Sequence, residues 1–373
     1  MFVDGSPAWI QALLSFGVAF IVATVITPIM IRIASQHGWL DRPGFRKVHS
    51  EPIPRMGGVA LYLGTWVSWA LFVALYPDRV PYEFMRPLWG LFGASTLVWL
   101  LGVYDDLRGA NAKKKLLIQI IAAAWVVHSG IGIELIHNPL KGNDMYTPDW
   151  LRWVLTMGWI VVVTNSINLI DGLDGLASGV GVITSVTLYF VSKDLGSPHL
   201  PYLSLTLAGA CSGFLLYNFS PARIFLGDSG SLFLGFVLAC LSIVGTTKRS
   251  AAIVMYGPPL ILALPVMDTL FAVFRRFLRK VQKGDIHYSA ADEFLKNIFV
   301  RFREIFRADQ EHIHHALLKI GLSHRRAVIL LYGVTTLLGM TAYRSATGSH
   351  LMSTGLIIFG LSLAIFWLRR KSR

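Results

Sequence analysis

The sequence predicts an all-α fold, a polytopic helical bundle integral to a membrane, from three observations. Charged residues make up only 15% of the 373-residue chain and hydrophobic ones 54%, against a globular norm of about 25% charged. Apolar windows long enough to cross a bilayer recur along the chain. The basic residues between these windows alternate in density, as they do when loops fall on opposite faces of a membrane.

The windows lie at 8–33, 57–76, 87–104, 116–136, 151–168, 176–192, 202–218, 230–247, 251–274, 327–344 and 350–368, which predicts eleven transmembrane helices. With the N-terminus outside, segments 32–55, 105–115, 223, 275–326 and 369–373 face inward and hold 26 of the 34 Lys and Arg residues. The positive-inside rule therefore puts the N-terminus outside and the C-terminus in the cytoplasm. The net charge of +13 is mostly cytoplasmic. It suits lipid headgroups and a polyanionic soluble substrate, and gives no separate reason to expect nucleic acid.

The first window is not read as a cleavable signal peptide, because Asp4 stands where a basic n-region belongs and no small-residue cleavage pattern follows. Cys211 and Cys240 both fall inside predicted spans and imply no disulfide. Without repeats, low-complexity runs or Pro-rich linkers, residues 1–373 read as one integral-membrane domain. Its longest cytoplasmic loop is 275–326.

The same charge-based assignment sorts the unusual polar residues onto one face. The inside loops contain Asp41-Arg-Pro-Gly-Phe-Arg-Lys47-Val-His49, Pro54-Arg-Met-Gly-Gly58, Asp105-Asp106, the island Asn165-Ser-Ile-Asn168-Leu-Ile-Asp171-Gly-Leu-Asp174-Gly-Leu176, Phe225-Leu-Gly-Asp228-Ser-Gly-Ser231 and Asp309-Gln-Glu-His312-Ile-His314-His315. The outside loops 137–150 and 193–201 carry mixed turn residues. Carboxylates at bilayer depth are costly and normally face a cavity, a partner or a substrate. The island's two acids, each followed by glycine, offer only oxygen ligands and suit Mg²⁺ with a phosphate ester.

Each cluster also has a purely structural reading. Asp105-Asp106 could be a solvated helix end, but adjacent carboxylates repel, so a cation or a general-base role explains the pair better. Of Lys113, Lys114 and Lys115, two read as membrane anchors, while Lys115 is placed to lean onto a phosphate. Asp228 or Ser229 would serve as a helix N-cap, and the same helix start attracts phosphate while the carboxylate can ligate a metal. His312, His314 and His315 lack matching Cys or spaced His partners for zinc, so phosphate contact is the favoured reading. Asp268, inside a span, reads equally as a helix-packing hydrogen bond or a site residue. Residues 285–308 include Phe294, Leu295, Ile298, Phe299, Phe302, Ile305 and Phe306 at helical spacing, opposed by Lys296, Arg301, Arg303 and Arg307. This is an amphipathic pattern of the kind that lies in the headgroup layer.

Taken in order, Asp-x-Pro-x-x-Arg-Lys-x-His, Asp105-Asp106, Asn-x-x-Asn-x-x-Asp-Gly-x-Asp-Gly-Leu, Gly-Asp-Ser-Gly-Ser and His-Ile-His-His resemble the polyprenyl-phosphate N-acetylhexosamine-1-phosphate transferases of the MraY and WecA/TagO types, over about residues 40–326. His-Ile-His-His is closest to the N-acetylglucosamine branch. Two features depart from the family pattern: Gly109 stands where a third acid follows the Asp-Asp pair, so no ligand is assigned there, and the loop before His312 is longer than in WecA-like chains.

The resemblance implies transfer of HexNAc-1-phosphate, GlcNAc-1-phosphate first among the choices, from a UDP-sugar to undecaprenyl phosphate with release of UMP. Mg²⁺ is the implied cofactor, with Mn²⁺ as a substitute, and a homodimer is the candidate assembly. In this reading Asp228 ligates the metal, Asn168 and Asp171 complete or orient its shell, and Asp105 or Asp106 deprotonates the lipid phosphate or holds its cation. Lys47, Lys115, His312, His314 and His315 neutralise phosphate oxygens, and Asn165 and Asp174 line the substrate site. Direct attack and a phospho-aspartyl intermediate both stay open at this stage. The alternatives are a phospho-MurNAc-pentapeptide transferase or another HexNAc specificity. From a different class, an ion-coupled transporter would need acids near mid-span, where only Asp268 lies.

Overall fold

A computed structural model describes residues 6–42, 51–138, 143–244, 259–271 and 313–347. The long apolar runs fold as helices, because a backbone in hydrocarbon must satisfy its own hydrogen bonds. They are α1 (Ala8–His37), α2 (Gly58–Leu75), α3 (Tyr82–Arg108), α4 (Ala112–His128), α5 (Asp149–Ile170), α6 (Leu176–Asp194), α7 (Leu200–Asn218) and α8 (Gly227–Val244). A helical stretch at 259–271 follows, then the short α9 (Ile313–Lys319) and α10 (His324–Thr347). A 3₁₀ turn, Pro77–Arg79, links α2 to α3. Two small antiparallel hairpins complete the described structure: β1 (Leu40–Asp41) with β2 (Ile53–Pro54), and β3 (Leu135–Asn138) with β4 (Asn143–Tyr146).

Among the described residues, eight helices are long and apolar enough to span a bilayer: α1, α2, α3, α5, α6, α7, α8 and α10. Window 116–136 ran past the helix it contains. α4 stops at His128, Gly130 adopts φ +109°, and the chain continues into β3. Window 251–274 is described only from 259, and window 350–368 lies outside the described residues.

Burial sorts the helices into an outer ring and a centre. α1 exposes Trp9, Leu13, Ile21 and Val25, and α5 exposes Trp150 and Val154. Such faces suit lipid and would be costly in water. By contrast, Ser229 through Ile243 of α8 are all buried, as expected of a helix that is apolar all round. α8 packs against α2, α3 and α5, while α7 packs against α1, α2 and α6. The N-terminus of α8 is thereby fixed at the centre of one end of the bundle, and that is where the polar motifs collect.

Candidate active site

The start of α8 is held from two sides. Phe225 N–H donates to Pro54 O at 2.8 Å, and Gly57 and Gly58 N–H donate to Phe225 O and Leu226 O at 3.1 and 3.0 Å. The Pro54–Gly58 motif is thus a brace for the Phe225–Ser231 motif. It fits because a Cβ on Gly58 would sit 2.2 Å from the backbone N of Gly230. On the other side, Asp106 at the end of α3 accepts the N–H groups of Asp228 (2.9 Å) and Ser229 (3.0 Å). Gly227 permits this contact through its left-handed φ of +71°.

This double anchoring aims the Asp228 carboxylate into the interior of the site. Its Oδ1 accepts Asn168 Nδ2 at 3.2 Å, and its Oδ2 pairs with the Lys115 ammonium. Asn168 also donates to Ser231 Oγ at 2.8 Å. Lys115 reaches a second acid, Asp105 Oδ2, at 2.7 Å, and Asp105 in turn accepts Ala110 N–H. Helices α3, α4, α5 and α8 therefore all contribute side chains to a compact charged network.

Beside it runs the loop between α5 and α6. Asp174 accepts Ala222 N–H at 3.1 Å. Gly175, at φ +80°, has both backbone groups taken: its N–H goes to Asn218 Oδ1 at 3.1 Å, and its carbonyl accepts Tyr332 O–H of α10 at 2.5 Å. Asn218 further accepts Ser178 Oγ and donates to Ile224 O. Burial, followed by the charges of Asp228, Asp106 and Asp174, pushes the Asp171 carboxyl up to about 8.

These groups open onto a cavity of about 740 Å³ lined by Asp41, Arg55, Asp106, Asn168, Asp171, Asp174, Asn218, Phe225, Asp228, His315 and His324, among others. The structure thus brings Asp106, Asn168, Asp171, Asp174, Asp228 and His315 onto one cavity, with Asp105 and Lys115 joined to it through Asp228. His314 is buried beside it, where a Cβ on Gly172 would lie 2.6 Å from its Nε2. Asn165 does not reach the cavity; its amide pairs with Gln119 of α4 and with Val161 O. Lys47, His312 and the 285–308 stretch lie outside the described residues.

Asp268 has a definite task. Its Oδ1 accepts Ile313 N–H at 2.9 Å, so it anchors the first turn of α9, the helix that carries His314 and His315. Sequence reasoning assigned no role to the half-buried Asp41–Arg55 ion pair, Asn218, Tyr332 or His324. The one sequence signal for Asn218 was an amide at the end of the otherwise apolar α7.

Among the described residues no three His, Cys, Asp or Glu side chains converge on one point. That is not the pattern of an all-protein cage. Mg²⁺ usually takes one or two carboxylates, water and substrate phosphates. Asp228 and Asp171 supply hard oxygens of that kind on one open cavity. The donor set fits Mg²⁺.

The fold and cavity define a polytopic helical membrane protein with a carboxylate-rich site at one end of the bundle. The glycosyl transferase family 4 profile matches residues 88–246. The chain is 35% identical over 340 residues to a probable undecaprenyl-phosphate N-acetylglucosaminyl 1-phosphate transferase of Bacillus subtilis, covering 91% of this chain and 86% of that protein. A decaprenyl-phosphate N-acetylglucosaminephosphotransferase of Mycobacterium tuberculosis is 31% identical over 396 residues, 98% and 91% of the two chains. A phospho-N-acetylmuramoyl-pentapeptide-transferase of Synechococcus sp. is 33% identical over 298 residues, 76% of each. The chain belongs to glycosyl transferase family 4, as its motifs led one to expect, and is a membrane transferase.

Proposed function

We propose that the protein transfers GlcNAc-1-phosphate from UDP-GlcNAc to undecaprenyl phosphate at the cytoplasmic membrane surface, opening a cell-surface glycan pathway. A phosphate oxygen of the lipid attacks the β-phosphorus of the nucleotide sugar, the bond from that phosphorus to the bridging oxygen breaks, and UMP leaves. The product is undecaprenyl-diphospho-GlcNAc. The observation that carries this reading is the Asp228 network, in which an acid, an amide and an ammonium from three helices meet at a helix start inside an open cavity. Phosphoryl transfer asks for such positioning and charge neutralisation more than for covalent help, which favours direct attack.

The cavity residues divide the work. Asp228 and Asp171 would hold Mg²⁺, or Mn²⁺ in its place, with Asn168 orienting Asp228. When bound, the ion neutralises diphosphate charge. Lys115 holds Asp105 and Asp228 in register and sits within reach of phosphate oxygens. Asp106, which lines the cavity, accepts the proton of the lipid phosphate, while Asp105 stays with Lys115. His315 contacts the nucleotide side. The sugar is assigned to GlcNAc because relatives named for GlcNAc transfer align over more of the chain, 88–98%, than the muramoyl-pentapeptide transferases, at 61–87%.

Purified protein given undecaprenyl phosphate, Mg²⁺ and a panel of UDP-GlcNAc, UDP-GalNAc and UDP-MurNAc-pentapeptide tests the reading. UDP-GlcNAc should give a lipid-linked sugar and one UMP per turnover. Transfer only from another donor overturns the sugar assignment, and transfer from none overturns the reaction.

A further inference from the structure

Asn165 and Gln119 form a reciprocal amide pair inside the bundle. Asn165 Nδ2 donates to Gln119 Oε1 at 2.6 Å, and Gln119 Nε2 donates to Asn165 Oδ1 at 3.4 Å. Gln119 is fully buried, and neither side chain lines the cavity. The placement of the pair is telling. Gln119 lies four residues after Lys115 on α4, and Asn165 lies three residues before Asn168 on α5. Residues at these spacings share a helix face. The two helices therefore present two layers to one another: the amide pair beneath, and Lys115 with Asn168 above it. The upper layer grips the two oxygens of Asp228, Lys115 on Oδ2 and Asn168 on Oδ1.

Between helices in hydrocarbon the hydrophobic driving force is missing, so close packing and interhelical hydrogen bonds set the alignment. A two-armed amide pair does not tolerate a slip of one helix along the other. Moving α4 by one residue would turn Gln119 by about 100° and leave its amide, and the Asn165 carbonyl oxygen, without their partners in a dry interior, where unpaired polar groups are costly; Asn165 Nδ2 would keep only Val161 O. The same slip would carry Lys115 off Asp228.

We infer that Gln119 and Asn165 are positioning residues, a register lock between α4 and α5 that holds Lys115 and Asn168 on the Asp228 carboxylate. The inference rests on the proposed transfer reaction, in which the geometry around Asp228 sets the rate. The lock acts on turnover rather than on donor affinity, since it touches no cavity surface.

The test uses Gln119→Leu, Asn165→Leu and the exchanged pair Gln119→Asn with Asn165→Gln, which keeps the combined length of the two arms. Turnover, donor KM and thermal unfolding are measured on each purified protein. Each leucine variant should lose about tenfold to a hundredfold in kcat, the range for partners that orient a metal ligand. Donor KM and unfolding temperature should stay close to those of the unaltered protein, and the exchanged pair should recover most of the lost turnover. Full kcat in both leucine variants overturns the lock. So does a loss that tracks the unfolding temperature and is not recovered by the exchange. Absence of transfer in the unaltered protein would instead overturn the functional reading on which the lock rests.

Discussion

Asp106 and Ser229, from α3 and α8, are joined by a hydrogen bond of 3.0 Å from the backbone N–H of Ser229 to Asp106 Oδ2. Since Asp106 Oδ1 takes the N–H of Asp228, one carboxylate caps the first turn of α8 and its charge complements the positive end of the helix. Capping and catalysis can be separated. Asp106→Asn retains one of the two acceptor oxygens, so it should lose less stability than Asp106→Ala, yet lose turnover as fully. Asp106→Ala should lose turnover and also about 0.5–2 kcal/mol of stability. An active asparagine variant would reduce Asp106 to a cap.

One turn earlier on the same face of α3, Gly102 lets the two backbones touch: a Cβ there would lie 2.4 Å from Ser229 Cα. Backbone atoms cannot yield as a flexible side chain can. Gly102→Ala should therefore destabilise by about 1–3 kcal/mol and lower activity by displacing Asp228. An unchanged melting curve with full activity would show that α3 and α8 separate freely.

Asp228 is the principal metal ligand in the proposed function. Asp228→Asn keeps shape but removes charge, so turnover should fall by more than about a hundredfold while the protein stays folded. Binding to the native state also stabilises it, by about 2.7 kcal/mol at a hundred times Kd. Mg²⁺ should thus raise the melting temperature of the unaltered protein and not that of the variant. Equal shifts in both would remove Asp228 from the ion.

The helices were legible because a bilayer-length apolar run leaves the backbone few alternatives, and windows such as 57–76 and 202–218 match α2 and α7 to within a residue or two. That Asp106, Asn168, Asp171, Asp174 and Asp228 gather on one cavity was legible because acids are costly at bilayer depth and normally face a cavity or a partner. What the motif spacing did not reveal was depth. Asn165 and Asn168 share a face of α5, but one turn of helix puts Asn165 against Gln119 and Asn168 against Asp228. Nor could the sequence show that Asp268 anchors α9 through Ile313, 45 residues away. Such a partner depends on how two separate helices pack, which local pattern does not encode.

Orientation follows from charge and can be checked by labelling. Asn143→Cys and Ser197→Cys sit beside the sparsely charged loops, whereas Ala110→Cys and Leu173→Cys sit beside the basic and acidic motifs. A membrane-impermeant thiol reagent applied to intact cells should reach the first two only. The buried native Cys211 and Cys240 should stay unlabelled. Outside labelling at 173 would invert the topology and move the cavity to the other face.

The histidines divide by position. His315 lines the cavity, and His314, its ring centroid 4.3 Å from that of His315, packs inward beside Gly172. Helical spacing alone pairs His312 with His315 and turns His314 elsewhere. In the structure His314 is turned toward the acidic loop itself, packed against Gly172. His315→Ala should therefore weaken UDP-GlcNAc binding and leave undecaprenyl-phosphate binding largely intact, since the lipid phosphate is assigned to the Asp106 side. His314→Ala empties a packed site next to Asp171, so it should lower stability as well as donor affinity. Calorimetric titration of each variant with UDP-GlcNAc, in parallel with a lipid-phosphate binding assay, separates the two. Unchanged nucleotide affinity in His315→Ala would exclude that side chain from the donor site, and equal losses for both ligands would make α9 a general support for the cavity wall.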